Sequence, residues 1–170
     1  MRMRRKKHGA ERIAACSEIL IAEPQIPAVD PNTYFADSKS VWLEIGCGKG
    51  VATAKMAREH PEINYIAIDE VRHVLAVSVR NVRAAYGDAP IDNIVFSAVD
   101  AMMIHDTFNA ADGIERIYIS FPNPWDERAK HHKRRLTHPR QLNQYRAFMK
   151  PGGEIWFKTD DDALFTASKR

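Results

Sequence analysis

The segment Val41-Trp-Leu-Glu-Ile-Gly-Cys-Gly-Lys-Gly50 constrains the fold more than any other part of the chain. Val41 to Ile45 reads as a buried parallel strand, and the residues from Lys49 onward read as the opening of a helix. Three alternating glycines join the two. A strand that turns straight into a helix needs residues without side chains where the backbone comes close to a ligand. The spacing is Gly46-x-Gly48-x-Gly50, and Val51 stands where a G-x-G-x-x-G fingerprint has its third glycine. An acid, Glu44, lies inside the strand end.

From Val41 the chain alternates strand and helix. Strands are expected at Val41–Ile45, Asn64–Asp69, Asn93–Val99, Arg116–Phe121 and Glu154–Thr159. Helices are expected at Val51–Glu59, Val71–Tyr86, Pro139–Met149 and from Asp161 onward. His60-Pro61 closes the first helix, Gly87 caps the second, and Pro151-Gly152-Gly153 reads as a turn before the fifth strand. Leu142, Tyr145, Phe148 and Met149 recur at helical spacing and are expected in the core. The pattern predicts an α/β fold, a doubly wound parallel sheet over residues 41–170. Residues 1–40 form a basic arm and lead-in, with a short helix over Glu11–Leu20 followed by a loop broken by Pro24, Pro27, Pro31, Asn32 and Asp37.

In such a sheet the ligand lies beyond the carboxyl ends of the strands. Those ends carry Glu44 with Gly46 and Gly48, then Asp69-Glu70, Asp100-Ala101, Phe121-Pro-Asn-Pro-Trp125, and Lys158-Thr-Asp-Asp161. Asp69 follows the glycines at about the 20-residue interval of a ribose-hydroxyl acceptor. Asp100 is placed to accept from an adenine amino group. One such acid alone would read as a helix N-cap. Three strand-end acids around an acid-preceded glycine turn point to S-adenosylmethionine rather than to a nicotinamide dinucleotide.

The formal net charge of +3 conceals segregation. Residues 1–12 hold six Lys/Arg against one acid, and residues 126–146 hold seven against two, leaving −7 on the remainder. Charge runs are usually solvated faces, but two basic segments on an acidic domain fit a polyanion. Arg2, Arg4, Arg5, Lys6 and Lys7 form either a flexible arm that orders on such a polyanion or a disordered solubilising tail. No leader pattern or membrane-length apolar run is present, so a cytoplasmic protein is expected. Cys16 and Cys47 have no pairing or metal spacing, and His131-His132 lacks partners at ligand spacing, so no metal is expected.

These residues resemble the bacterial tRNA (guanine-N7)-methyltransferases. The likeness is carried by Met1-Arg-Met-Arg4, Leu43-Glu-Ile-Gly-Cys-Gly-Lys-Gly50, Tyr65-Ile-Ala-Ile-Asp69, Arg116-Ile-Tyr-Ile-Ser-Phe-Pro-Asn-Pro-Trp125, His131-His-Lys-Arg-Arg-Leu-Thr137 and Pro151-Gly-Gly-Glu-Ile-Trp-Phe-Lys-Thr-Asp160. The resemblance implies a Rossmann-like class I methyltransferase with strand order 3-2-1-4-5. It implies methyl transfer from S-adenosylmethionine to guanine N7 in the tRNA variable loop. Glu44, Asp69, Asp100 and Asn123 then line the cofactor site, with Asn123 at the reacting centre. Arg128, Lys130, Lys133, Arg134, Arg135 and Asp160 face tRNA. Three departures stand out. Asn123 replaces the family's Asp. The segment after Trp125 is one residue longer and begins Asp126-Glu127, which leaves Arg128 or Lys130 for the family's substrate-binding Lys. A C-terminal Thr-x-Tyr-Glu segment and its strand pair are absent.

Trp125 either stacks on a base or packs under its loop. Two other functions compete with the N7 reading. Asn123-Pro124-Trp125 is close to the loop of amino-group methyltransferases, and the missing segment fits a non-catalytic S-adenosylmethionine- and RNA-binding module. The last strand, with Ile155, Trp156 and Phe157, is expected at a sheet edge, where pairing with a second copy would give a homo-oligomer.

Overall fold

The computed structural model of the protein describes residues 9–21 and 34–169. The arm residues Arg2 to Lys7 and the loop residues Pro24, Pro27, Pro31 and Asn32 lie outside the described residues. Six strands, β1 (Leu20–Ile21), β2 (Ser40–Ile45), β3 (Ile63–Asp69), β4 (Ile94–Ala98), β5 (Ile114–Ser120) and β6 (Met149–Lys158), form one parallel sheet. Their order is β1-β4-β3-β2-β5-β6. Counted from Val41 this is the expected 3-2-1-4-5, and β1 adds a strand at one side.

That strand corrects the sequence expectation. Helix α1 covers only Gly9–Ala14 and stops short of Leu20. Leu20 pairs with Phe96 and Ile21 with Ser97, and Cys16, Ile19 and Leu20 are buried. Burial of this apolar run against α3 (Arg72–Tyr86) and β4 overrides local helix preference.

Helix α2 (Val51–Glu59) and α3 cover one face of the sheet together with α1. Helix α4 (Pro139–Arg146), with Phe148 and the 3-10 turn at 101–106, covers the other. Tyr145 and Phe148 are fully buried, and Leu142 and Met149 pack at the margin of that core. The short α5 (Asp162–Ser168) follows β6 and buries Leu164. Gly87 ends α3 at φ 58°, its N–H donating to Arg83 O, and His60 ends α2.

Pro151-Gly152-Gly153 is not a turn outside the sheet. Strand β6 begins at Met149, opposite Ile114, and pairing resumes at Arg116 with Glu154. The Pro-Gly-Gly step is therefore a bulge within the strand. Gly152 sits at φ +82°, and a side chain at Gly153 would meet Glu115 O at 2.9 Å. Helix α4 correspondingly stops at Arg146, because Phe148 O accepts from Ile114 N–H at 3.0 Å as the new strand starts.

One buried side chain ties four elements at the amino end of the sheet. Asn93, 1% exposed, donates from Nδ2 to Ala57 O and Ile63 O, both at 2.9 Å. Its Oδ1 accepts from Tyr86 Oη at 2.5 Å. Replacing it strands two carbonyls and a hydroxyl in a dry site. Asn93→Ala is expected to lower unfolding free energy by about 2–4 kcal/mol, read as a shifted urea midpoint. A change below about 0.5 kcal/mol would remove Asn93 from this role.

Candidate functional site

The sheet reverses its winding at β2, which has β3 on one side and β5 on the other. A cavity of about 630 Å³ opens there, beyond the carboxyl ends of the strands. One part of its wall is Gly46, Asp69, Glu70, Asp100 and Ala101. The other is Ser120 to Asn123 with Trp125, Arg134 and Leu136.

The acidic wall is built by backbone donors. Asp69 Oδ2 accepts from Gly48 N–H at 2.9 Å and Oδ1 from Val71 N–H at 2.8 Å, joining the glycine turn to the start of α3. Asp100 Oδ1 accepts from Met102 N–H at 2.8 Å, capping the 3-10 turn. Each carboxylate oxygen keeps a second lone pair for a ligand. Helix α3 also holds the turn from outside, because Ser78 Oγ donates to Gly48 O and Asn81 Nδ2 to Lys49 O, both at 2.8 Å. Gly50 has no room for a side chain, since a Cβ would lie 2.7 Å from that of Ser78, and its φ is +64°.

The opposite wall is a strained loop. Phe121 (φ 51°) and Trp125 (φ 50°) are both left-handed, which for bulky residues costs of order 1–3 kcal/mol each. Three hydrogen bonds hold them there. Phe121 N–H donates to Lys158 O at 2.7 Å, Trp125 N–H to Asn123 Oδ1 at 3.0 Å, and Arg135 Nε to Pro124 O at 2.7 Å. Trp125 is flanked by His131, edge-on at 6.1 Å, and by the Arg134 guanidinium at 5.1 Å. Phe121 stays 55% exposed at the cavity mouth, with Lys158 Nζ 5.2 Å from its ring centre.

The family described as "Putative methyltransferase" matches residues 38–169 of this chain. A tRNA (guanine-N(7)-)-methyltransferase of Clostridium perfringens is 44% identical over 171 residues, covering 99% of this chain and 77% of the relative. One of Acetivibrio thermocellus is 41% identical over 177 residues, with the same coverage. The chain belongs to this methyltransferase family. Solved structures agree on the fold. The 16S rRNA methyltransferase KamB superposes with a TM-score of 0.57 at 17% identity, over 82% of this chain and 62% of that one. A 16S rRNA (adenine(1408)-N(1))-methyltransferase of Catenulisporales acidiphilia does so at 0.54 and 20% identity, over 81% and 65%.

Within this methyltransferase fold the residues expected at the site divide into three groups, with Arg135 apart from them. Gly46, Asp69, Glu70, Asp100, Ala101, Asn123 and Arg134 line the cavity. Glu44 and Gly48 support it from behind. Glu44 is 4% exposed and accepts from Thr53 Oγ1, while the Gly48 amide is directed to Asp69. Arg128, Lys130, Lys133 and Asp160 are exposed outside it, and Lys133 lines a smaller cavity with Arg134 and Arg140. Arg135 departs most from expectation. It is only 9% exposed and holds the Pro124 carbonyl, so it shapes the loop where a tRNA-facing residue was expected. Sequence reasoning did not identify Thr53, Ser78 or the left-handed Phe121. Nothing in the linear pattern marks a hydroxyl aimed at a carboxylate one helix away.

Burial raises the proton affinity of Glu44 above the ordinary value of 4.5, and the negative charge of Asp69 acts in the same direction. The folded carboxyl holds its proton to higher pH than the unfolded chain does. Its contribution to stability is therefore present below pH 4.5 and lost as pH rises through the folded value. Glu44→Gln keeps an acceptor for Thr53 and removes that loss. The stability of the variant relative to the parent should rise between pH 4 and pH 8 in urea titrations. A difference independent of pH would contradict the assignment.

Proposed function

We propose that this chain transfers a methyl group from S-adenosylmethionine to N7 of a guanine in the variable loop of tRNA. The observation that carries the reading is the cavity at β2, whose acidic wall meets an aromatic, amide-bearing and cationic one. The 44% identity to tRNA (guanine-N(7)-)-methyltransferases over 99% of the chain supports it. The residues fit the cofactor. Asp69 suits ribose hydroxyls, Asp100 and Ala101 suit the adenine ring, and Gly46 lets a ligand approach the backbone. When bound, S-adenosylmethionine supplies an electrophilic methyl on a sulfonium centre.

Guanine N7 carries a free lone pair and no proton, so the chain need not supply a general base. Its task is to fix the base at near-attack distance and to favour the positive charge that develops on it. Asn123 is at the centre of that task. Its Oδ1 already accepts from Trp125 N–H, leaving one lone pair and the amide N–H₂ for a purine edge. Trp125 and Phe121 offer faces on which the base can stack. Lys133 and Arg134, with Arg128, Lys130 and Asp160 further out, meet the surrounding RNA. A cytoplasmic location belongs to the same reading, supported by two buried, unpaired thiols. Among the described residues no helix is long and apolar enough to cross a membrane. Strand β6 at the outer side of the described sheet, with Trp156 51% exposed, supports self-association by strand pairing.

The reading is tested by incubating the protein with labelled S-adenosylmethionine and unmodified tRNA and digesting the product. It requires 7-methylguanosine, and methyl groups on exocyclic amines would overturn it. Asn123→Asp preserves the bond to Trp125 N–H while adding a second carboxylate acceptor and a negative charge. It is expected to raise kcat/KM on tRNA by roughly tenfold, about 1–2 kcal/mol. A slower Asp variant would mean that the amide does not face the guanine.

The two adjacent arginines should respond differently. Arg134→Gln is expected to flatten the salt dependence of tRNA binding by roughly 0.7–0.9 in log–log slope, the effect of one lost phosphate contact. Arg135→Gln should leave that slope unchanged and lower kcat about tenfold or more, because the loop loses its anchor. Matching effects of the two substitutions would show that Arg135 is not a loop anchor.

A further inference from the structure

A second cavity, about 310 Å³, lies between α1 and α3. Arg12 of α1 and His73, Arg80 and Arg83 of α3 line it, with Cys16 beside them and no carboxylate among its described lining residues. Arg83 is engaged, donating to Ala15 O at 3.0 Å and pairing with Glu18. Arg12 and Arg80 are exposed, and neither guanidinium has a hydrogen bond or ion pair among the described residues. His73 Nε2 is buried without a hydrogen-bond partner.

An unpaired buried imidazole nitrogen is disfavoured unless a partner arrives. Two guanidiniums beside it, unpaired among the described residues, favour an anionic partner. A carboxylate or a phosphate group accepts from an imidazole N–H and from planar N–H forks and carries negative charge, and the RNA substrate of the proposed reaction supplies the phosphate. The thiol of Cys16 adds no competing chemistry, because burial raises its proton affinity and keeps it neutral.

The position in the fold indicates which phosphate. Glu70 and Val71 line the main cavity and His73 the second, so the two cavities meet the chain within a few residues of each other at the start of α3. Arg134 and Lys133 lie on the far side of the main cavity. A nucleotide whose base enters the main cavity has backbone continuing in both directions, and each direction then meets a basic surface. His73 to Arg80 spans about two helical turns, roughly 10 Å, which is enough for one phosphodiester and its neighbour.

We infer that the α1–α3 cavity is a phosphate-binding site for the backbone of the RNA substrate, formed by Arg12, His73 and Arg80. This inference rests on the reading of the substrate as RNA. The site is separate from the basic segment after Trp125, so the RNA is held from two sides of the base.

The test compares the parent, Arg12→Gln/Arg80→Gln, His73→Ala, and a charge-matched control, Lys55→Gln/Lys150→Gln. The control substitutes exposed lysines away from both cavities. Binding of unmodified tRNA is followed by fluorescence anisotropy from 50 to 300 mM KCl, and S-adenosylmethionine binding by calorimetry. The double arginine variant should flatten the log–log salt slope by about 1–2 units and weaken tRNA binding roughly tenfold near physiological salt. His73→Ala should weaken it severalfold. S-adenosylmethionine affinity should stay at the parental value, and the control should keep the parental slope. An unchanged slope in the arginine variant, or an equal fall in the control, overturns the site. A parent that binds tRNA but produces no 7-methylguanosine sinks the proposed reaction and leaves the phosphate site standing. A parent that does not bind tRNA overturns both.

Discussion

The Asp69 carboxylate is the point on which the cavity depends. One oxygen takes the Gly48 amide and the other takes the Val71 amide, so one side chain fixes the turn after β2 and the entry into α3. Without that bridge two backbone donors at the mouth of the sheet would have to be satisfied by water, and only the Gly46 and Cys47 amides, both donating to Ile68 O, would hold the turn to β3. Ser78 and Asn81 hold the same turn through its carbonyls. Donors and acceptors of the turn are thus both engaged before any ligand arrives, which is the preorganisation that a positioning enzyme needs.

On the other side of β2 the structure holds strain instead of relieving it. Phe121 and Trp125 are kept left-handed by contacts to β6 and to the buried Arg135. The two adjacent arginines divide their work by burial. Arg134 remains exposed over the Trp125 ring, whereas Arg135 is directed inward to the Pro124 carbonyl. The same basic motif thus supplies both the surface charge and the anchor of the loop that the charge surrounds.

Charge is segregated at two scales. Along the chain, basic residues cluster in 1–12 and 126–146 on an otherwise acidic background. In the fold, the main cavity gathers Asp69, Glu70 and Asp100, while the α1–α3 cavity is lined by three arginines. The proposed reaction brings together a cationic sulfonium compound and an anionic nucleic acid, and keeping the two fields apart favours it. The acids are confined to the strand ends, where backbone amides also hold them.

The sequence by itself determined the parallel sheet and the cavity's position at the carboxyl ends of its strands, while the order of the five main strands was what the family resemblance implied. Apolar runs, alternating elements and an acid-flanked glycine turn are local signals with strong physical constraints behind them. That Asp69, Asp100 and Asn123 line the cavity was legible for the same reason, since a strand end in this topology has one place to be. Tertiary structure alone decided that Leu20–Ile21 joins the sheet, that Pro151-Gly-Gly153 is a bulge, and that Glu44 and Arg135 are buried supports. Each of those outcomes depends on which distant group a residue meets. Burial against α3 outweighs the helix preference of residues 15–20, and the Pro124 carbonyl gives Arg135 a partner that no spacing in the sequence reveals.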